Sequence, residues 1–452
     1  MVIDESNIRK SVLKLVGPAV SEQILFMILG VVSTVFAGRL GEEAISAVGL
    51  INTLVGFIIA LFVALSTGST VLVARLIGED ERDKAKECVR HSVLLGALLS
   101  VLLSILCYIF ATPILKVFFS SAESSVIELA EIYFKITLYT FPLALINIIV
   151  SGSLRGAGDT KTPMIIGYVV NILNILLNCL LIFGVDFYFV KVSGMGIVGA
   201  ALAVTISRAV GGLLSIGVFY IPKSIVRINI FEKFKFDFVL VKRILNVGIP
   251  AAMEQIVMQG GFLMLQIVIS GMGTTAMAVY QIGMSINSIC FIPIWGFGIA
   301  ATTMIGQSLG ARKPQLAEKC GWDTLKMGLP VTVVLSAIIF IFAEQLVQVY
   351  NTEPEVIAIG TTAIRIFCLS QPFLSVVVIF SGGLRGAGDI MYVMITSFVG
   401  IWAFRIALTV ILNYLFHMGI MGTWLAVCLD FLIRSMMYLV RFKKGRWKEI
   451  VV

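Results

Sequence analysis

Runs of mostly apolar residues, each long enough to be a membrane-crossing helix, recur along the whole chain. Crossing the hydrocarbon core takes about twenty such residues in an α-helix. Twelve runs meet that length, at roughly 12–37, 45–74, 89–111, 126–150, 163–184 and 195–221, and then at 244–271, 276–305, 322–343, 357–381, 391–414 and 418–441. Single polar residues inside a run are tolerated where the helix faces protein rather than lipid. A basic stretch from Pro222 to Arg243 separates the two sets. The pattern predicts an all-α membrane protein of twelve transmembrane helices in two pseudo-symmetric six-helix bundles. Residues 1–221 form the N-terminal bundle, 222–243 a cytoplasmic linker and 244–452 the C-terminal bundle. The first run continues too far past Lys14 for a cleaved signal peptide, and Glu22 and Gln23 interrupt it, so it is expected to be the first span.

The two sets repeat one another in sequence. Pro18-Ala-Val-Ser-Glu22-Gln23 returns as Pro250-Ala-Ala-Met-Glu254-Gln255, Leu40-Gly41 as Met272-Gly273 and Gly78 as Gly310, each 232 residues on (250 − 18). Ser151-Gly-Ser-Leu-Arg155-Gly-Ala-Gly-Asp159 returns as Ser381-Gly-Gly-Leu-Arg385-Gly-Ala-Gly-Asp389, 230 residues on (381 − 151), and Pro142 matches Pro372 at that same offset. Met195-Gly-Ile-Val-Gly199 returns as Met418-Gly-Ile-Met-Gly422, 223 on (418 − 195). Six spans separate matching points, and an even number preserves orientation. The repeats are therefore parallel, related by an axis along the membrane normal. Two such halves leave a cleft that rocking exposes to one side and then the other, which makes transport the leading reading.

Composition agrees and narrows the choice. Of 452 residues, 59% are apolar and only 13% charged, where a soluble globular chain is roughly a quarter charged. Mean hydropathy is +1.02. The net charge of +8 would suit a nucleic-acid partner if it were clustered, but it follows topology. With the N-terminus inside, the inner segments carry, among others, Arg9, Lys14, Arg75, Arg82, Lys84, Lys86, Arg155, Lys161, Lys235, Arg312, Arg385 and Arg446. The outer ones carry only Arg39, Lys116 and Lys191. That is the positive-inside distribution of a multi-pass protein of the cytoplasmic membrane with both termini cytoplasmic, and it implies no nucleic acid. Seven cysteines form no CxxC pair, and His91 and His417 are the only histidines, so neither a metal site nor a catalytic triad is expected and the chain is not read as an enzyme.

A few polar residues inside the runs are candidate chemistry. Glu22 and Glu254 lie about ten residues into their helices, roughly 15 Å along the axis. An acid at such depth must be protonated, paired or in a wet cavity. It suits proton coupling or attraction of a cationic substrate, and it equally suits a structural hydrogen bond where Pro18 or Pro250 kinks the helix. Gln255, Gln259 and Gln266 share one helical face, with Gln281 and Asn287 on the next helix. They can line a cavity or pack helices through their amides. Asn171, Asn174 and Asn178 form a ladder on another face, and amide oxygens can ligate Na⁺ or hold helices together. Arg405 and Asp430, with Arg434 nearby, are placed for an intramembrane ion pair, while Lys135 and Arg365 near outer helix ends are read as snorkelling to the interface. The two Leu-Arg-Gly-Ala-Gly-Asp stretches are read as cytoplasmic loops, with glycines for tight turns and Arg155, Asp159, Arg385 and Asp389 capping helix ends.

Four stretches carry a family resemblance: Phe36-Ala-Gly38-Arg39-Leu40-Gly41, the doubled Leu-Arg-Gly-Ala-Gly-Asp, Ile305-Gly306-Gln307-Ser308-Leu309-Gly310, and Asn174-Ile-Leu-Leu-Asn178. The chain resembles the MATE family, the multidrug and toxic compound extrusion transporters, from Pro18 to about Val440. The resemblance implies two six-helix bundles in a V and export of organic, often cationic compounds against H⁺ or Na⁺. Departures stand where the family often carries acids: Ser33 before Thr34, Asn178 four residues after Asn174, Leu374 in the tenth span, and Met258 one turn after Glu254. On this reading Glu22, Ser33, Asn174 and Asn178 form the cation-coupling set, and Glu254, Gln255, Gln259, Gln281 and Asn287 the substrate-binding set. With both N-half aspartate places vacant, H⁺ is expected to be the driving ion. Glu22, flanked by apolar residues, is the expected proton carrier, and Glu254, among glutamines, the expected substrate contact. Partners are small organic substrates and membrane lipids, the chain acts as a monomer, and no cofactor is expected beyond the coupling ion. The alternative from the same wider superfamily is a flippase of lipid-linked precursors.

Overall fold

A computed structural model describes residues 4–5, 7–38, 40–119, 123–187, 190–221 and 236–450. Most of the linker, 222–235, lies outside the described residues, as does the Ser33 side chain.

The apolar runs are helices. In the first half they are α1 (Ile8–Gly38), α2 (Glu42–Gly78), α3 (Arg82–Ile109), a short α4 (Ala111–Phe118), α5 (Ser124–Leu138), α6 (Phe141–Gly156), α7 (Lys161–Phe183) and α8 (Gly196–Gly217). Between α7 and α8 the strands β1 (Gly184–Phe187) and β2 (Val190–Ser193) pair antiparallel, with Gly184 opposite Ser193. The second half holds α9 (Phe238–Ser270), α10 (Thr274–Gly310), α11 (Pro314–Ile341), α12 (Ala343–Tyr350), α13 (Pro354–Cys368), α14 (Gln371–Ala387), α15 (Ile390–Phe398), α16 (Ala407–Tyr414) and α17 (Ile420–Lys444). Helices α2, α3 and α4 reappear as α10, α11 and α12 with both ends shifted by 232 residues (274 − 42, 314 − 82, 343 − 111).

Among the described residues ten helical segments are long and apolar enough to span a membrane, and two bent pairs, each taken as one span, bring the number to twelve. The fourth span is α5 and α6, meeting at 58°, and the tenth is α13 and α14, meeting at 49°. The sequence pattern predicted one straight run at each place. Pro142 and Pro372 explain the break. Each ring clashes with the carbonyl four residues back, at Leu138 and Cys368, where α5 and α13 end. Each proline then sits in the first turn of the next helix, where its missing N–H costs nothing.

The described residues pack as two compact units that do not coincide with the sequence halves. One comprises Met1–Val20, Ala74–Glu81 and Asn246–Val452, the other Ser21–Val73 and Arg82–Leu245. In the first unit the C-terminal end of α2 meets the end of α10 through glycines. A Cβ on Gly78 would stand 2.1 Å from the Gln307 carbonyl oxygen, and one on Gly310 would stand 2.0 Å from that of Arg75. The contact is reciprocal, because 307 and 310 are the repeats of 75 and 78 (307 − 75 = 232). An aromatic cluster fills the core nearby: Phe380 stacks on Phe442 at 4.3 Å between centroids, and Phe442 on Trp447 at 4.6 Å.

The doubled glycine motif is helical rather than a loop, which corrects the sequence reading. Gly152 and Gly156 lie in α6 against α2. A Cβ there would meet Ser66 Oγ at 1.9 Å and the Thr70 carbonyl at 2.3 Å. In the other unit Gly382 and Gly386 of α14 lie against Gly298 and Thr302 of α10, where an added Cβ would stand 2.5 and 2.2 Å from their carbonyl oxygens. Helices approach this closely in membranes only through small residues. Only Gly158 and Gly388, both at φ +90°, make the turns the sequence suggested. Gly386→Ala should lower the unfolding free energy by about 1–3 kcal/mol, since backbone must shift to admit the methyl. Gly49→Ala, with nothing within 4 Å of its added carbon, should be neutral. Thermal unfolding of both variants in detergent checks this.

Candidate functional site

The glycine motif carries an arginine between its two close-packing glycines. Because Gly152 and Gly156 face α2, Arg155 projects from another side of α6, toward α1. There its Nη2 donates to Glu22 Oε1 at 2.6 Å. Glu22 is 4% exposed. Gly167 of α7 leaves room for it, since a Cβ at that position would touch Glu22 Cγ at 3.4 Å. The second half repeats the arrangement. Arg385 of α14 donates from Nε (3.1 Å) and Nη2 (2.6 Å) to the two carboxylate oxygens of Glu254 on α9. Glu254 is 2% exposed. Ser397 of α15, the repeat of Gly167 at offset 230 (397 − 167), adds a longer contact to Oε1 at 3.4 Å. Of the three states open to a buried acid, the structure therefore has paired. Pairing matters energetically because a single charge in hydrocarbon is strongly unfavourable.

This changes the contrast drawn from sequence. Glu22 was expected among apolar neighbours; it has an arginine. The roles given to Arg155 and Arg385 as helix caps are replaced by these ion pairs. Asp159 does cap as expected, accepting from the backbone N–H of Lys161 (3.1 Å) and Thr162 (3.0 Å). Its repeat Asp389 instead accepts from Arg441 Nε at 2.7 Å.

Beyond the two locks the interiors diverge. On α7 the face that begins at Gly167 continues through Asn171, Asn174 and Asn178, at i, i+4, i+7 and i+11. Asn178 Nδ2 donates to the Asn174 carbonyl at 2.9 Å and to its Oδ1 at 2.8 Å, so these two amides hold each other. Asn171 is fully buried, and neither of its amide atoms has a partner among the described residues. In the second half the equivalent helix departs from α geometry. Between α15 and α16 it runs as a π-helix, Val399–Ile406. The stretch carries Arg405, whose Nε (2.9 Å) and Nη2 (2.6 Å) donate to Asp430 Oδ2. Arg434 of α17 donates to the same carboxylate from Nε (2.7 Å, to Oδ1) and Nη2 (2.7 Å, to Oδ2). The ion pair expected between Arg405 and Asp430 is present and has a third member.

The glutamine set is less united. Gln255, Gln259 and Asn287 are half-buried, whereas Gln281 is exposed. The hydrogen bonds of Glu254 among the described residues go to Arg385 and Ser397. The sequence reading missed both arginine partners, although a signal was present: the acid and its arginine are 133 residues apart in one half and 131 in the other. No group of three or more His, Cys, Asp or Glu among the described residues can hold a metal ion.

Comparison with known proteins agrees with this duplicated architecture. The MatE family profile matches residues 18–180 and again 250–411, one match per half. The probable multidrug resistance protein NorM of Thermotoga maritima is 33% identical over 99% of this chain and 94% of its own length. The multidrug resistance protein MdtK of Proteus mirabilis is 24% identical over 95% of this chain and 93% of its own. Among solved structures, the outward-facing conformation of a multidrug resistance MATE family transporter of the MOP superfamily superposes with a TM-score of 0.87 at 23% identity, over 97% of this chain and 95% of that one. The repeated span pattern, the doubled glycine motif and these matches together identify the chain as a multi-pass membrane protein that belongs to the MatE family of transporters.

Proposed function

We propose that the chain is a proton-driven exporter of the cytoplasmic membrane, carrying small amphipathic organic compounds outward by alternating access. It works as a monomer in contact with lipid, with both termini cytoplasmic. The observation that carries the reading is the duplicated lock: one buried glutamate per half, held by an arginine of the glycine motif. A proton is the one ion that can switch such a lock without a cage of ligands. Protonating Glu22 removes its charge, and with it the Coulomb attraction that holds Arg155 and so ties α1 to α6. Sodium needs several oxygen ligands at once. Here Asn174 and Asn178 are bonded to each other, and Glu22 is taken by Arg155. The similarity to the probable multidrug resistance protein NorM and the multidrug resistance protein MdtK supports drug-like cargo. A flippase of lipid-linked precursors is the second reading, favoured by the three arginines gathered around Glu254 and Asp430.

Proteoliposomes loaded with ethidium test the proposal. A pH gradient without Na⁺ should drive efflux, and a Na⁺ gradient with pH clamped should not. Efflux under Na⁺ alone would reverse the choice of ion. Movement of a lipid-linked pyrophosphate with no drug efflux under either gradient would replace export by flipping.

A further inference from the structure

Counting charge inside the unit that contains α9–α17 gives an unequal result. Apart from the Asp389–Arg441 pair at the ends of α15 and α17, its described interior sets Glu254 and Asp430 against Arg385, Arg405 and Arg434. Arg385 occupies both oxygens of Glu254. One carboxylate, Asp430, is left for two guanidinium groups. Asp430 is 0% exposed and both arginines 5%. One positive charge is therefore uncompensated in a place where water does not screen it, an arrangement disfavoured unless something supplies the missing negative charge.

The surroundings hold the guanidinium groups against aromatic rings. Arg405 lies 5.7 Å from the Phe262 ring centre and 5.0 Å from that of Phe431, and Arg434 lies 5.2 Å from Phe431. Ring faces attract a cation and offset part of the surplus, but they accept no hydrogen bond from a guanidinium in the way an anion does. Gly400 lets the cluster press against the backbone. A Cβ there would stand 2.4 Å from both Asp430 Oδ1 and Arg434 Cδ. Gly400 and Arg405 both belong to the π-helical stretch, a geometry that is rarely kept without a functional reason. Among the described residues, Glu254, Asp430 and Asp389 are each already held by arginines.

We propose that the Arg405–Asp430–Arg434 cluster is a binding site for the anionic head of an amphipathic aromatic compound: a carboxylate or sulfonate accepted by the guanidinium groups, with the apolar body against Phe262 and Phe431. The inference deepens the export reading by naming a cargo class of opposite sign to the cations expected from the sequence. It is tested by binding, so it can fail while export stands.

The experiment uses the purified full chain in a neutral detergent and two probes of one shape and opposite charge, naphthalene-2-sulfonate and 2-naphthylmethylammonium, titrated by calorimetry. The wild type should bind the sulfonate at least about tenfold more tightly, the discrimination expected of one charge-assisted hydrogen-bonded pair. Arg405→Met leaves Asp430 with Arg434, a balanced pair, and should abolish that preference. Competition with phosphatidylglycerol assigns the source of the anion. Displacement of the sulfonate points to a lipid headgroup and its retention to a soluble compound, and either keeps the anion site. Equal affinity for the two probes in the wild type, or a preference for the ammonium, overturns the proposal. So does a sulfonate preference unchanged in Arg405→Met. The wild-type comparison decides even if the variant does not fold, and ethidium efflux measured alongside reports separately on export.

Discussion

Asp430→Ala should leave no folded protein at physiological temperature. The substitution strands two guanidinium groups that share one carboxylate at 2.6–2.9 Å, both nearly inaccessible to water. Removing one partner of a buried pair typically costs 3–5 kcal/mol, because the remaining charge stays desolvated. Here two charges remain, so about 5 kcal/mol is expected, comparable to the whole stability of many domains. Arg405→Met removes a surplus charge instead and should be tolerated or mildly stabilising. Size-exclusion profiles and unfolding midpoints of the two variants in one detergent measure the difference. A folded, monodisperse Asp430→Ala would mean that water reaches the cluster.

The second large effect concerns the two locks. Glu22→Gln should abolish coupled efflux while leaving equilibrium drug binding within a few-fold. A glutamine can still accept from Arg155, but it has no charge to gain or lose. Glu254→Gln should act on binding. With its carboxylate gone, Arg385 joins the surplus around Asp430, and the interior then carries two uncompensated charges. Cationic compounds should lose affinity, because the added uncompensated positive charge repels them. Neutral compounds should lose less, and sulfonates should gain. Reconstituted efflux and calorimetry on both variants separate the roles. Full activity in both would make the acids purely structural.

What was legible in the sequence follows from what leaves a local trace. Apolar length marks a span, so all twelve were visible, and motifs recurring in the same order at offsets of 232, 230 and 223 made the duplication visible. Pro142 and Pro372 were noticed only as a repeat, although the reason that α5 and α13 end four residues earlier was already contained in them. Long-range pairing leaves a trace only in the duplication, as the matching separations of acid and arginine in the two halves. Glu22 and Arg155 are 133 residues apart, and nothing local says that one meets the other. Arg405 with Asp430 could be guessed because depth forces a buried charge to find a partner. The π-helical turn that presents Arg405 and Gly400 had no readable signal, since its other residues continue the apolar run of the span. The glycine motif was misread because glycine suits turns and close helix contacts equally, and only Gly158 and Gly388 serve the first purpose. Gln281 was grouped with Glu254 by helix proximity, yet it is exposed, as rotation about the helix axis cannot be judged from an isolated polar residue.

The close seams between α2 and α6 and between α10 and α14 bear on how such a chain can be redesigned. At Gly152, Gly156, Gly382 and Gly386 the space beside the α-carbon is already filled by a neighbouring hydroxyl or carbonyl oxygen. These four sites offer a library no usable diversity. The faces of α7 and of the α15–α16 stretch, which differ between the halves at every position named above, offer a great deal. Selections for new cargo should collect their mutations on those two helices and leave the four glycines unchanged.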